Sequence, residues 1–255
     1  MKSFGWTDDE KYNGRDICEF IQILWHAIEK PLSNTQCHAF MLVAYQDYVQ
    51  CIDVNYEQSR EEKQILTEFT TNDNEKTLDE CIDSYHKRDL LSGDNMFCTP
   101  NGEKQSAWVG RKLTNCPDVM LFAVKRYQFN FETFCVTKSQ NPISYPTCLD
   151  LSTRSKETKD QYTLVGVAVQ RGSHNASHYF VYIRPYYNSE QWVLFNDTQV
   201  TEVTEAQALS EINDSVLFMY VRTCMLDCYM AGFSIIKHFG DMREKKFKNM
   251  SFAFA

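Results

Sequence analysis

Between residues 108 and 222 the chain holds five runs, DVMLFAVKRYQFN, YTLVGVAVQ, HYFVYIRP, QWVLFND and SVLFMYVR, each bounded by polar turn residues. β-Branched and aromatic side chains dominate all five, and such runs fit a pleated, half-buried surface. Several antiparallel strands built on them make one twisted sheet with a buried face. Outside this block the pattern changes. Residues 15–30, RDICEFIQILWHAIEK, place Ile17, Phe20, Ile21, Leu24 and Ile28 at helical spacing, with an acid near the start and Lys30 at the end. Residues 50–105 are broken and polar, with short alternating stretches such as VQCIDVNY and ILTEFTT and the turn SGDN, and they predict an extended, weakly cored, hairpin-like region. From 223 to 255 helical spacing returns, with Leu226, Tyr229, Met230, Phe233 and Ile236 on one side. The fold class expected is α+β.

Composition narrows the functional classes. A chain of 255 residues with 43% hydrophobic content can bury a full core. Its net charge of −8 disfavours a phosphate-binding surface, so no nucleic acid is expected as a partner, and it suits a basic or mixed-charge one. No apolar run approaches the roughly 18 residues of a membrane span, and MKSFGWTDDEKYN lacks the apolar centre of a signal peptide. No membrane partner and a cytoplasmic or nuclear location are therefore expected. The ten cysteines form no CxxC pair, and several sit in apolar runs where a thiol acts as a small hydrophobe. Neither disulfides nor a structural zinc are expected, and no cofactor is implied. Sequons at Asn175, Asn196, Asn213 and Asn249 are read as coincidental.

The chemistry concentrates on two of the strand runs. His178 opens one, behind the small-residue loop GSHNAS, while Asn196 and Asp197 close the next. A hairpin between them brings imidazole to amide or carboxylate. A thiol protease needs such a pair: a base to take the thiol proton, and a neighbour to fix the base's tautomer. A strand-end histidine beside an ordinary Asn-Asp turn has the same pattern, and on these residues alone both readings stand.

The order of motifs resembles the ubiquitin-specific protease family. YTLVGVAVQRGSHNASHYFVYIRP, QWVLFNDTQV and SVLFMYVR are similar to its carboxy-terminal signature. CPDVMLFAVKRYQFN resembles its Leu-Pro-x-Val-Leu…Lys-Arg-Phe segment, and LLSGDNMFC its glycine-containing turn. KSFGW and RDICEFIQILWHAIE resemble the region of the Gln-x-Asp box, most closely in the herpesvirus-associated ubiquitin-specific protease and its relatives. The resemblance spans residues 2–222. It implies a papain-like cysteine protease fold, with fingers at about 50–105, an antiparallel palm at about 108–222 and a reduced helical thumb, all within a domain of residues 1–222. It also implies ubiquitin or ubiquitinated proteins as partners. His178 matches the family's catalytic base, Asn196 the residue that orients it, Asp197 the supporting acid, Tyr179 the aromatic lining the channel for the ubiquitin tail, and Asp16 the box aspartate that binds tail backbone. Gly14 and Arg15 stand where the family has glutamine and histidine, and of the finger cysteines only Cys98 remains.

The family's nucleophile box normally precedes all of these motifs, and here none does. DCYMAGFSIIKHFGDMREKKFKNM, at 227–250, resembles that box and its helix, with Cys-Tyr-Met identical. The resemblance then implies a circular permutation in which residues 223–255 supply the nucleophile Cys228, with Thr223 at the oxyanion-donor position. A second register uses Cys224. Cys18 is read as structural. An amphipathic tail of unrelated origin fits the same residues. Three functions remain open: a cysteine-type deubiquitinase cleaving after ubiquitin's terminal glycine, an inactive ubiquitin-binding relative without its nucleophile, and an incomplete domain that depends on a partner chain to supply the thumb.

Overall fold

The computed structural model describes residues 16–29, 40–70, 74–132, 134–155, 161–173, 176–186 and 190–227. In chain order these form helix α1 (Ile17–Glu29), strands β1 (Val43–Cys51), β2 (Glu57–Gln64) and β3 (Thr67–Thr70), and helix α2 (Leu78–His86). Strands β4 (Asp89–Leu91), β5 (Phe97–Cys98), β6 (Lys104–Gln105), β7 (Ala107–Asn115) and β8 (Val119–Lys125) follow. Then come β9 (Tyr127–Asn130), β10 (Cys135–Lys138), β11 (Cys148–Asp150), β12 (Gln161–Ser173) and β13 (Ala176–Ile183). Strands β14 (Gln191–Asn196) and β15 (Gln199–Thr204), the one-turn helix α3 (Glu205–Ala208) and β16 (Ser215–Arg222) close the series. Sheet predominates over helix, as expected of an α+β chain.

The main sheet runs β15-β14-β13-β12-β16-β8-β3, with β11 added beside β12. Every pair among its strands from residues 108–222 is antiparallel, and β3, from outside that range, pairs parallel with β8. The sheet is covered on both faces, and residue parity shows it. On β8, Met120, Phe122 and Val124 join one core while Val119, Leu121 and Ala123 join the other. On β16, Phe218 and Tyr220 take the first side, Leu217 and Val221 the second. Two-sided burial explains why VMLFAVK reads as a continuous apolar run rather than an alternating one.

Helix α1 lies on the second face. Asp16 caps it, its carboxylate accepting the Cys18 backbone N–H at 2.6 Å. Its packed stripe is Ile17, Ile21 and Trp25; Ile28, expected on that face, is 41% exposed.

A second sheet, β2-β1-β7-β4, carries the polar region of residues 50–105. The expectation of weak coring there is corrected, because α2 crosses the region and buries Leu78, Cys81 and Ile82. Thr77 and Glu80 cap α2 reciprocally, each side chain accepting a backbone N–H of the other. Strand β2, EQSREEKQ, forms a charged edge that discourages pairing with other chains. Arg111 ties this sheet together, donating to Asp47 at 2.5 and 2.9 Å, to Glu62 at 2.8 Å and to the Tyr85 hydroxyl. Among the described residues no helix is long and apolar enough to cross a membrane.

Arg126 follows β8 and is 1% exposed. Its guanidinium donates to the Ser215 carbonyl at 3.1 Å, the Ile212 carbonyl at 2.9 Å and the Asn141 carbonyl. Burial lowers its pKa to about 10, so it stays charged at neutral pH. Arg126→Met removes a donor from three carbonyls, of which that of Ile212 keeps a second partner in the Ile143 N–H at 2.9 Å, and a buried group left unpaired costs about 1–3 kcal/mol. The substitution is expected to lower unfolding stability by about 3–5 kcal/mol in urea titration; a loss below 1 kcal/mol contradicts the clamp.

Candidate active site

His178 sits on β13 with its Cα partnered to Arg171 of β12. Strand β13 in turn pairs with β14, which ends at Asn196. This hairpin brings His178 Nε2 within 2.6 Å of Asn196 Oδ1. An amide oxygen can only accept, so Nε2 carries the hydrogen and Nδ1 presents its lone pair. Asp197 Oδ2 lies 3.8 Å from the same Nε2. The imidazole is therefore oriented by an amide, with a carboxylate at the edge of ion-pair range. Both His178 and Asp197 keep about half of their side chains in solvent, so this ion pair contributes little to stability.

The turn that places the amide is tight. Asn196 pairs with Gln199, leaving Asp197 and Thr198 as a two-residue loop, and Asp197 has φ 52°. Aspartate tolerates this left-handed conformation better than most residues because its side chain can bond locally.

Residues not singled out by sequence complete the surroundings of His178. Arg171 donates to both carboxylate oxygens of Glu211, at 2.9 and 2.7 Å, and its guanidinium lies 5.0 Å from the centre of the Phe180 ring. Phe180 stands 6.2 Å from the imidazole, centre to centre. Only the strand register reveals these neighbours, since Arg171 and Glu211 are 40 residues apart.

Tyr179 points away from His178, to the other face of the sheet, by the alternation of β-strand side chains. There it lines a cavity of about 310 Å³ together with Asp16, Cys18, Glu68, Lys125, Tyr127 and Gln170. The structure thus brings Asp16 and Tyr179 into one cavity. Burial, then Asp16, pushes the Tyr179 hydroxyl up, while the Ile17 backbone N–H opposes that shift. Lys125 pairs with Glu68 at 2.5 Å across the cavity wall. Burial drives the Cys18 thiol well above its ordinary range, and Asp16 and Glu68 add to the effect.

Thr223 is not brought to His178. It begins a short 3-10 turn after β16, where its hydroxyl meets that of Thr163 at 3.2 Å. Tyr162 of β12 partners Arg222, whereas Arg171 of β12 partners His178. Nine residues of strand at about 3.3 Å each separate the two positions, or roughly 30 Å. Cys224, exposed in the same turn, shares that distance. Cys228 lies outside the described residues. Among the described residues no group of three or more histidine, cysteine or acidic side chains could hold a metal ion.

The family model described as ubiquitin carboxyl-terminal hydrolase matches residues 1–220. Ubiquitin carboxyl-terminal hydrolase 15 of Saccharomyces cerevisiae is 28% identical over 228 residues, covering 82% of this chain and 18% of the yeast protein. The protein of the same name in Schizosaccharomyces pombe is 29% identical over 222 residues, with 82% and 19% covered. Ubiquitin C-terminal hydrolase 13 of Arabidopsis thaliana is 26% identical over 223 residues, with 82% and 20% covered. The chain thus spans about a fifth of the length of these relatives.

The raised Cys18 thiol makes a direct prediction. Because the thiolate is the reactive form, iodoacetamide should modify Cys18 far more slowly than the exposed Cys135, Cys148 and Cys224 at every pH from 7 to 9. Peptide mass spectrometry checks this, and early labelling of Cys18 contradicts its assignment as an inert, half-buried thiol.

Proposed function

The chain belongs to the ubiquitin carboxyl-terminal hydrolase family, and on that premise we propose that it recognises ubiquitin and carries the base end of a cysteine-type deubiquitinase site. The observation that carries this reading is the 2.6 Å contact between His178 Nε2 and Asn196 Oδ1, held by adjacent strands, with the Asp16–Tyr179 cavity on the opposite face of β13. In this reading the main sheet is the palm, the β2-β1-β7-β4 sheet is the fingers, and the protein works in the cytoplasm or nucleus.

The chemistry divides among named groups. His178 Nδ1 takes the proton of the attacking thiol, and the thiolate adds to the carbonyl carbon of ubiquitin's terminal glycine. The tetrahedral adduct collapses to a thioester as the imidazolium returns that proton to the departing lysine amine. Water, deprotonated by the same imidazole, then releases ubiquitin with a free carboxylate and restores the thiol. Asn196 keeps the base in its Nε2–H tautomer throughout, and Asp197 stands beside the ring as the supporting acid. Asp16 and Tyr179 hold the ubiquitin tail.

The source of the thiol divides this reading from a second one. Cys228 is the candidate that the sequence offers, and the permuted arrangement requires Thr223 to stand beside it as the oxyanion donor. The roughly 30 Å between Thr223 and His178 favours the second reading, in which the chain binds ubiquitin without turning it over.

A ubiquitin probe ending in a propargyl group, followed by intact mass, separates the two. In the first reading an adduct forms, disappears in Cys228→Ala and slows at least tenfold in His178→Ala. In the second reading no adduct forms although ubiquitin still binds. An adduct that returns when the Cys228→Ala and His178→Ala variants are mixed assigns thiol and base to different copies. Absence of both adduct and binding overturns ubiquitin recognition altogether.

A further inference from the structure

We propose that Arg171 is the positioning residue for His178: with its guanidinium drawn onto Phe180 by Glu211, its aliphatic stem walls the imidazole on the side away from Asn196. The inference rests on the reading of His178 as the base and adds the group that holds its ring.

A solvent-facing imidazole needs such a wall. The His178 side chain is 48% exposed, and the torsion that turns a histidine ring is broad and roughly two-fold. A half-turn about it puts ring carbon where Nε2 meets Asn196 and where Nδ1 offers its lone pair. The contact with Asn196 Oδ1 opposes that turn, but the net gain from one exposed hydrogen bond is small. Asn196 also reaches the ring from one side only, that of β14.

Strand β12 supplies the other side. Arg171 and His178 are directly paired, so their side chains leave the same face with Cβ atoms about 5 Å apart. Phe180 stands two residues further along β13 on that face, diagonal to Arg171, and the guanidinium carbon lies 5.0 Å from its ring centre. The stem of Arg171 therefore sets out beside the imidazole on its way to Phe180. Its head is fixed by a closed circuit of contacts. Arg171 donates to both Glu211 oxygens, the Tyr182 hydroxyl donates to Glu211 Oε1 at 3.2 Å, Tyr182 meets Phe180 edge-on at 5.8 Å, and Phe180 carries the guanidinium. Asp214 Oδ2 adds a weaker pull, 3.8 Å from the Arg171 Nε. The Glu211 side chain is only 15% exposed, and Phe180 and Tyr182 are buried. The circuit thus stands on the core, and Arg171, 58% exposed, is held by it. Phe180 also faces the imidazole at 6.2 Å with 31° between the ring planes, which gives the wall a floor.

The test reads the ring itself by nuclear magnetic resonance of the full chain with isotope-labelled histidine, the His178 signals being assigned by their loss in His178→Gln. In the parent the ring should be ordered, with an order parameter of about 0.85 at its C–H bonds. Arg171→Ala should lower that value below about 0.6 and speed solvent exchange of the Nε2 proton at least fivefold. Glu211→Gln, which loosens the head and keeps the stem, should move both signals in the same direction by less. Arg171→Lys, whose stem and charge still reach Glu211, should restore most of the parental behaviour. A brace that serves only the loop of Glu211 would lower the melting temperature of Arg171→Ala and leave its ring signals at parental values, and that result overturns the proposal. An equal loss in Arg171→Ala and Arg171→Lys overturns the stem as the wall. A ring already mobile in the parent overturns both the wall and the orientation by Asn196. Neither signal needs a thiol or ubiquitin, so failure here leaves the outcome of the ubiquitin probe standing.

Discussion

The buried guanidinium of Arg126 is the interaction on which the geometry near His178 depends. Its three carbonyl acceptors lie at Asn141, Ile212 and Ser215, in two loops far apart in sequence, and its own chain continues into the β9–β10 hairpin. A cation held by three backbone carbonyls is a costly arrangement unless all are satisfied, so the loops stay docked together. Neighbouring contacts extend the knot. The Gln170 backbone donates to the Asp214 carbonyl at 2.9 Å, Lys138 reaches both residues, and Arg171 is pinned by Glu211. The end of β12 is thereby fixed, and with it the position of His178 across the ladder.

The groups of the candidate site divide along one strand. At the knotted end of β12 lie His178, Asn196 and the β9–β10 hairpin, with the Asp16–Tyr179 cavity on the far side of the sheet. At the other end β16 leaves the sheet, and Thr223 and Cys224 begin the carboxy-terminal segment. A pair of catalytic groups must approach to hydrogen-bond distance to act together. Thirteen residues of β12 hold the two ends apart, and the sheet that does so is buried on both faces, so no small rearrangement closes the gap.

Much of this was legible in the residues. SVLFMYVR is strand β16 from first residue to last, and HYFVYIRP and QWVLFND locate the hairpin that joins His178 to Asn196. Helix α2 was hidden because its apolar residues Leu78, Cys81 and Ile82 make barely one turn of pattern inside a polar region, although the Thr77–Glu80 capping box was there to be seen. The parallel pairing of β3 with β8 joins strands about 50 residues apart, and no local signal specifies such a partner. The separation of Thr223 from His178 was hidden for the same reason. Sequence gives the strands, but which end of the sheet a strand leaves by depends on a register set between residues 162 and 222.

Distance is therefore the quantity to measure. Spin labels on the native Cys224 and on a Ser177→Cys substitution, with the other reactive cysteines replaced by serine, report it by pulsed electron–electron resonance. The expected distribution centres at about 33 Å, the separation set by the ten residues of β12 from Tyr162 to Gly172, the partner of Ser177. A distribution below about 15 Å would place the turn at Thr223–Met225 beside His178 and contradict this separation.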